Sequence, residues 1–131
     1  MSKQEDFPWI QWKLPSRIRI TGVSITTRMD CCGHHFKNVE VRAGLVGINS
    51  TFNGKITVND VCGRVKGEVY AEAGKVHKVE CGSTLLSEYI TVQIRDKSST
   101  LTINELTYTT KPHSLLGNDI FYVYICFAQR V

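Results

Sequence analysis

Polar and apolar residues alternate with a period of two in several short stretches of the chain. The stretches are residues 17–20, 23–26, 38–42, 56–58 and 88–95. This period is typical of β-strands that bury one face. In the last stretch Ile90, Val92 and Ile94 share a face. Gly22 separates the first two stretches and predicts a bulge or bend there.

Turn signals separate these stretches at short intervals. They are Cys32-Gly33, Gly44, Asn53-Gly54, Gly63, Ala73-Gly74, Cys81-Gly82 and residues 96–99. Asn53-Gly54 predicts a type I′ hairpin, because both residues tolerate positive φ. Leu101 opens a further predicted strand that runs to Tyr108. The absence of a sustained i, i+3, i+4 apolar stripe, together with many short strands, predicts an all-β sandwich or barrel.

The C-terminal region has a different composition. Residues 120–128 form its longest apolar stretch, which is rich in aromatic and β-branched residues and predicts a strand. The stretch is too short to cross a membrane as a helix, which would need about 20 apolar residues. We expect a domain over residues 1–110 and an atypical apolar tail over 111–131. Two roles are open for the tail, a replacement strand in the sheet or a surface that promotes homo-oligomers.

The charge and the motifs of the chain argue against two classes of function, nucleic-acid binding and catalysis. The 131 residues carry a net charge of +4, with 16 basic and 12 acidic side chains and no basic run. Nucleic-acid binding is therefore not indicated. The sequence lacks a Gly-x-Ser-x-Gly motif and a phosphate-binding loop, and we expect no enzymatic activity. Asn49-Ser50-Thr51 is a glycosylation triplet, a kind of signal that is common by chance.

Five cysteines occur, an odd number that leaves at least one thiol unpaired if the others are oxidised. Such cysteine use favours an extracellular protein. Residues 1–6 are polar and show no secretory signal. We therefore expect that the natural start of the protein is missing. Cys126, in the apolar tail, is expected to be a buried free thiol.

The segment Arg28-Met29-Asp30-Cys31-Cys32-Gly33-His34-His35 is the most unusual in the chain. It follows one predicted strand and precedes another, so it is a loop at an end of the sheet, where binding residues often collect. A disulfide between adjacent cysteines would close a small, rigid, apolar ring that could pack against a sugar, while the arginine donates to hydroxyls. The aspartate could hold the guanidinium in place. Two alternatives remain open, in which the cysteines bond elsewhere or are reduced.

This Arg-x-Asp-Cys-Cys-Gly segment resembles the sugar-site motif of the fucolectins, or F-type lectins. The surrounding sequence is similar as well, from Phe7 to about Tyr108. The matching segments are residues 8–14, 23–28, 39–44 and 101–106, with Cys62 and Cys81 where the family has a second disulfide. The resemblance implies a jelly-roll β-sandwich of the discoidin-like class and a secreted protein.

The resemblance also implies a site for L-fucose and, as partners, fucosylated glycans or glycoproteins. Arg28 would bond the sugar oxygens, Asp30 would orient the basic residues, and the Cys31–Cys32 disulfide would lie against the sugar. A structural calcium ion would be held partly by Glu105, next to Asn104. Glu105 is in phase with Leu101 and Ile103, so it points inward, where a cation can serve as partner, unless a bulge at Asn104 turns it outward.

Three departures from the family pattern bear on function. The position of the family's second basic sugar ligand is His35, whose imidazole is shorter than a guanidinium and mostly neutral at pH 7. The family's upstream histidine and most of its calcium loop would precede residue 1. Asn104 replaces a cysteine. The sequence is therefore compatible with two functions, a non-catalytic lectin module and a discoidin-like structural or protein-interaction domain that has lost sugar binding.

Overall fold

The computed structural model describes residues 6–26, 37–65, 76–99, 101, 103 and 105–110, and the backbone of 121–125. These residues form β-strands and no helix, as expected. The strands are β1 (Trp9–Thr26), β2 (Val39–Gly44), β3 (Asp60–Val65), β4 (Val76–Ile94), β5 (Glu105–Thr110) and β6 (Phe121–Ile125). The described residues contain no helix that is long and apolar enough to cross a membrane.

All strand pairs are antiparallel, and the strand order is β3-β2-β4-β1-β5-β6. The long strands β1 and β4 are central and pair with each other along most of their length. Register shifts interrupt this pairing between Lys13 and Ile18 and again between Ile20 and Gly22, which confirms the bulge predicted at Gly22. A Cβ at Gly22 would lie 3.0 Å from Thr109 Oγ1, so the close approach of β5 favours glycine.

The register shifts divide the strands into two layers. The front layer contains β3, β2, the end of β4 and the start of β1, and the back layer contains the start of β4, the end of β1, β5 and β6. One apolar cluster includes residues from both layers, so the sheet folds over a shared core. Its fully buried members include Val41, Ile90 and Val92 in front and Ile25 and Tyr108 at the back.

A disulfide joins the two layers. Cys62 of β3 is bonded to Cys81 of β4, as the resemblance implied. The other three cysteines lie outside the described residues, so the predictions for Cys31, Cys32 and Cys126 remain predictions.

Residues 45–59 form a long loop, which differs from the expected hairpin. Gly54 has a positive φ of 131°, but no strand flanks the Asn53-Gly54 pair and residues 56–58 are not a strand. Ile56 is buried with Trp9 and Ile48 against the outer side of the front layer. Its backbone N–H is bonded by a glutamine side chain rather than by a neighbouring strand. Tertiary packing thus overrides the local alternation.

The apolar tail contributes β6, which confirms the strand predicted there. Its backbone pairs with β5 from Leu106↔Ile125 to Thr110↔Phe121 and extends the back layer. The remaining tail residues lie outside the described part. The proposed division at residue 110 stays a prediction.

Candidate functional site

The predicted sugar loop connects β1 to β2. Residues 27–36, and with them Arg28, Asp30, Cys31, Cys32 and His35, lie outside the described residues. Asn104, predicted beside the calcium glutamate, also lies outside them. The roles assigned to these side chains therefore stay predictions. The structure does describe the two positions between which the loop is held.

The upstream end of the loop is fixed in the back layer. Thr26, the last residue of β1, pairs with Val76 of β4 on one side and with Glu105 of β5 on the other. The preceding residue, Ile25, is fully buried in the core. The loop thus leaves from a central strand that is bonded on both edges, a position with little freedom.

The downstream end is fixed in the front layer. Val39, the first residue of β2, pairs with Val65 and with Ile94. Asn38 has a left-handed φ of 51°, its carbonyl accepts a hydrogen bond from Arg95 N, and its Nδ2 donates to Asp96 Oδ1, both at 2.9 Å. Asparagine is one of the few residues that adopt this conformation readily. Both ends of the loop are therefore anchored, which suits a binding loop on a rigid scaffold.

Glu105 does not point into the core. It pairs with Thr26 and is half-buried, whereas its neighbour Leu106 is buried in the apolar cluster. Since neighbouring strand residues face opposite sides, Glu105 faces outward. The inward orientation was wrong, because β5 begins at Glu105 and Leu101 and Ile103 are not part of it. The alternative agrees with the outward direction, but the bulge that it places at Asn104 lies outside the described residues.

This geometry bears on the predicted calcium ion. Calcium takes six to eight oxygen ligands, commonly several carboxylates and carbonyls. Within the described residues no three His, Cys, Asp or Glu side chains come together as a metal-binding group. Glu105 by itself does not make a calcium site, and its predicted neighbour Asn104 is not described.

A cluster of charged side chains lies on the outer side of the front layer. The carboxylate of Glu40, 2% exposed, accepts hydrogen bonds from Arg42 Nε at 2.7 Å, Arg64 Nε at 2.8 Å and Arg95 Nη1 at 2.9 Å. The arginines come from three strands or strand ends and differ in exposure, from 13% for Arg42 to 66% for Arg64. One buried carboxylate thus ties β2, β3 and the end of β4 together.

The protonation of Glu40 follows from these contacts. Burial raises the pKa of the carboxyl, but hydrogen bonds from Arg64 and Arg42 and the charges of Arg42 and Arg95 oppose it. The net result is a pKa below the ordinary glutamate value. Glu40 is therefore ionised at neutral pH, and its charge is compensated.

Side chains of Gln11 and Arg95 attach the 45–59 loop to the same face. Gln11 Oε1 accepts from the Ile48 backbone N–H at 3.0 Å, and Gln11 Nε2 donates to Thr91 Oγ1 at 3.0 Å. Arg95 Nη1 donates to the Ile56 carbonyl at 3.0 Å. These polar side chains satisfy loop backbone groups that burial would otherwise leave unpaired.

The charged row on this outer face was not predicted from the sequence. Arg64, Glu40, Gln93 and Trp9 are consecutive partners in one row across four strands. The available signal was the alternation of Glu40 and Arg42 with apolar residues in 38–42, which places both on the side away from the core. That pattern does not reveal which distant residues complete the row.

Comparisons with known proteins agree with the resemblance seen in the sequence. The chain is 30% identical over 118 residues to the pentraxin fusion protein of Xenopus laevis, which covers 90% of this chain and 26% of that protein. It is 29% identical over 87 residues to Fucolectin-6 of Anguilla japonica, covering 66% of this chain and 41% of that protein. The chain thus spans less than half the length of either relative. No family model matches the chain.

Among solved structures, a crystal structure of an F-lectin (fucolectin) from the serum of striped bass, Morone saxatilis, superimposes with a TM-score of 0.68. It is 24% identical and covers 84% of this chain and 35% of that chain. This likeness shows the fold. The predicted β-sandwich of the F-type lectin kind and the resemblance to fucolectins are thereby confirmed.

Proposed function

We propose that this chain, which shares the fold of the F-type lectins, is a lectin module that binds L-fucose-containing glycans without catalysis. The observation that carries the proposal is the Arg-x-Asp-Cys-Cys-Gly motif in the loop between β1 and β2 of this fold. Similarity to a protein named as a fucolectin supports the same function. The partners would be fucosylated glycans or glycoproteins outside the cell.

Binding would rest on the side chains predicted for the loop. Arg28 would donate hydrogen bonds to sugar oxygens, and Asp30 would hold its guanidinium in place. A bonded Cys31–Cys32 ring would offer a stiff apolar surface to one face of the sugar. His35 would donate one hydrogen bond while neutral and add a positive charge when protonated, with an ordinary pKa of about 6.5. Thr26 and Asn38, which flank the motif, are held by strand pairing and by hydrogen bonds, and this supports a site carried by a rigid scaffold.

The experiment is a titration of the folded chain with L-fucose and a glycan array carrying fucose-terminated oligosaccharides. We expect binding to fucosylated glycans that is lost in Arg28→Ala. Arg17→Ala is the matched control, because Arg17 is 64% exposed and lies 3.7 Å from Glu88, a contact of little energetic value. A flat array with a correctly folded, disulfide-bonded chain would contradict the proposal.

His35 provides a gain-of-function test. His35→Arg restores the second guanidinium of the family pattern, and we expect tighter binding of fucose at pH 7. A charge-assisted hydrogen bond is worth roughly 1.5–3 kcal/mol, which is a tenfold or larger change in Kd. His35→Ala should weaken binding instead. Equal affinities for the three proteins would remove His35 from the site.

A structural calcium ion is part of the proposal, with Glu105 and Asn104 as ligands. A ligand that binds only the folded state raises thermal stability. We expect a lower melting temperature when the chain is treated with a calcium chelator, and recovery with calcium but not with magnesium. Glu105→Gln should make the melting temperature insensitive to calcium. A wild-type chain that does not respond to either treatment would argue against the ion.

The alternative is a discoidin-like scaffold that binds protein rather than sugar. His35 in place of a basic sugar ligand favours it. So does the 45–59 loop, which exposes the large apolar side chains of Leu45, Val46, Phe52 and Val58. The array distinguishes the two functions, because a scaffold gives no glycan signal at a protein concentration that saturates a known fucose-binding lectin.

A further inference from the structure

The 45–59 loop contains the triplet Asn49-Ser50-Thr51, which fits the acceptor pattern Asn-x-Ser/Thr with a residue other than proline in the middle. The full sequence has five other asparagines, at positions 38, 53, 59, 104 and 118, and none is followed by Ser or Thr two positions later. Any N-linked modification of this chain is therefore expected at a single residue. The structure describes all three residues of the triplet.

The triplet forms an exposed turn. Asn49, Ser50 and Thr51 are all exposed, and the Phe52 backbone N–H closes the turn on the Asn49 carbonyl at 2.8 Å. The flanking residues hold the turn to the protein, since Ile48 N donates to Gln11 Oε1 at 3.0 Å and Trp9 Nε1 donates to the Phe52 carbonyl at 3.2 Å. A large hydrophilic group at Asn49 would project into solvent without disturbing the packing below.

The hydrogen bonds within the triplet orient the acceptor amide. Asn49 Oδ1 accepts two hydrogen bonds from Thr51, one from the backbone N–H and one from the hydroxyl, both at 3.0 Å. This Asx-turn leaves Asn49 Nδ2 without a hydrogen-bond partner among the described residues. By contrast, the amide nitrogens of Asn38 and Asn59 each donate to a protein oxygen, Asp96 Oδ1 and the Val46 carbonyl.

We infer that Asn49 is an N-glycosylation site when the chain enters a eukaryotic secretory pathway. The co-substrate is a lipid-linked oligosaccharide diphosphate. Asn49 Nδ2 forms a bond to the anomeric carbon of the first sugar, and the bond from that carbon to the phosphate oxygen breaks. The lipid diphosphate leaves with the electron pair, and Nδ2 loses one proton to a base of the transferase.

The test expresses the whole chain behind an added secretory leader in animal cells, so it does not depend on the sugar-binding proposal. We expect one mass increase of glycan size that is removed by peptide N-glycosidase. Asn49→Asp, which keeps the Oδ1 acceptor of the turn but has no amide nitrogen, should abolish it, and so should Thr51→Val. Thr51→Ser, which keeps the hydroxyl, should retain it.

Two results would overturn the inference. One is an unmodified wild-type chain in the medium, or in the endoplasmic reticulum fraction if secretion is poor. The other is the same glycan mass on Asn49→Asp, which would place the modification elsewhere. The glycan mass is measured in both the medium and the endoplasmic reticulum fraction, so a variant that folds slowly and is poorly secreted still gives a result.

Discussion

Gln93 Oε1 accepts a hydrogen bond from the Ile56 backbone N–H at 2.8 Å, and this contact attaches the 45–59 loop to β4. The amide nitrogen of the same side chain donates to the carbonyls of Phe7 and Gly54, both at 2.8 Å. One buried glutamine thus joins the N-terminal segment, the loop and the sheet. The loop carries the glycosylation triplet, so this attachment also positions that surface.

Gln93→Leu should release the loop. The substitution keeps the approximate size of the side chain but leaves one buried N–H and two carbonyls without their partner, at a cost of about 3 kcal/mol in the free energy of unfolding. Urea denaturation measures this change. Trypsin should also cleave the variant faster after Lys55, which is exposed on the loop. Ser83→Ala, at an exposed position of β4, is the control and should behave as the wild type.

Glu40→Gln should destabilise the front layer. It removes the negative charge that faces Arg42, Arg64 and Arg95 and leaves guanidinium groups close together without compensation. Breaking a buried pair costs about 3 kcal/mol. Glu88→Gln is the comparison, since its contact with Arg17 is exposed and should be worth less than about 1 kcal/mol. If both variants lost the same free energy of unfolding, the Glu40 cluster would contribute no more than an exposed ion pair.

The Glu40 cluster should also make stability depend on pH. The pKa of Glu40 is lower in the folded chain than in the unfolded chain, where a glutamate titrates near 4.3. Its stabilising contribution is therefore complete above that range and is lost as the pH falls through the folded pKa. The difference in unfolding free energy between wild type and Glu40→Gln should be larger at pH 7 than at pH 3. A difference that is the same at both values would contradict the pKa direction.

The Cys62–Cys81 disulfide should be a major source of stability. It closes a loop with a sequence separation of 19 residues, for which chain entropy predicts about 3 kcal/mol. Cys62→Ala with Cys81→Ala should lower the urea midpoint accordingly, while the fold seen by circular dichroism is retained.

Intact-mass measurement after alkylation without reductant should find two internal disulfides and one free thiol. Alkylation of all five cysteines would contradict the disulfide predictions for both pairs.

Removal of the tail should expose an edge of the back layer. β6 pairs with β5 from Leu106↔Ile125 to Thr110↔Phe121, so truncation after Lys111 leaves the outer backbone groups of β5 unpaired. We expect a lower melting temperature and more self-association by light scattering. A truncated chain that melts and scatters like the full chain would show that the tail has no structural role.

The sequence predicted which loop carries the candidate sugar site, but not how that loop is attached to the sheet. Arg28, Asp30 and the paired cysteines stand out in the sequence because the double-cysteine motif is rare, and the structure adds that Thr26 and Asn38 hold the loop at both ends. Of the two directions that the sequence left open for the Glu105 side chain, the inward one was wrong. Alternation was carried from Leu101 through Ile103 to residue 105, whereas the strand begins only at Glu105 with the opposite phase.

Local patterning along the chain was enough to predict the strand-rich class, the bulge at Gly22, the strand in the tail and the position of the unusual loop. Each of these depends on residues within a few positions of one another, so local periodicity and backbone sterics suffice. The contacts of Glu40 with Arg64 and Arg95, which lie 24 and 55 positions away, became visible only in the folded chain, and so did the packing of residues 56–58 as a loop. Strand register sets those contacts, and register is a property of the whole folded sheet.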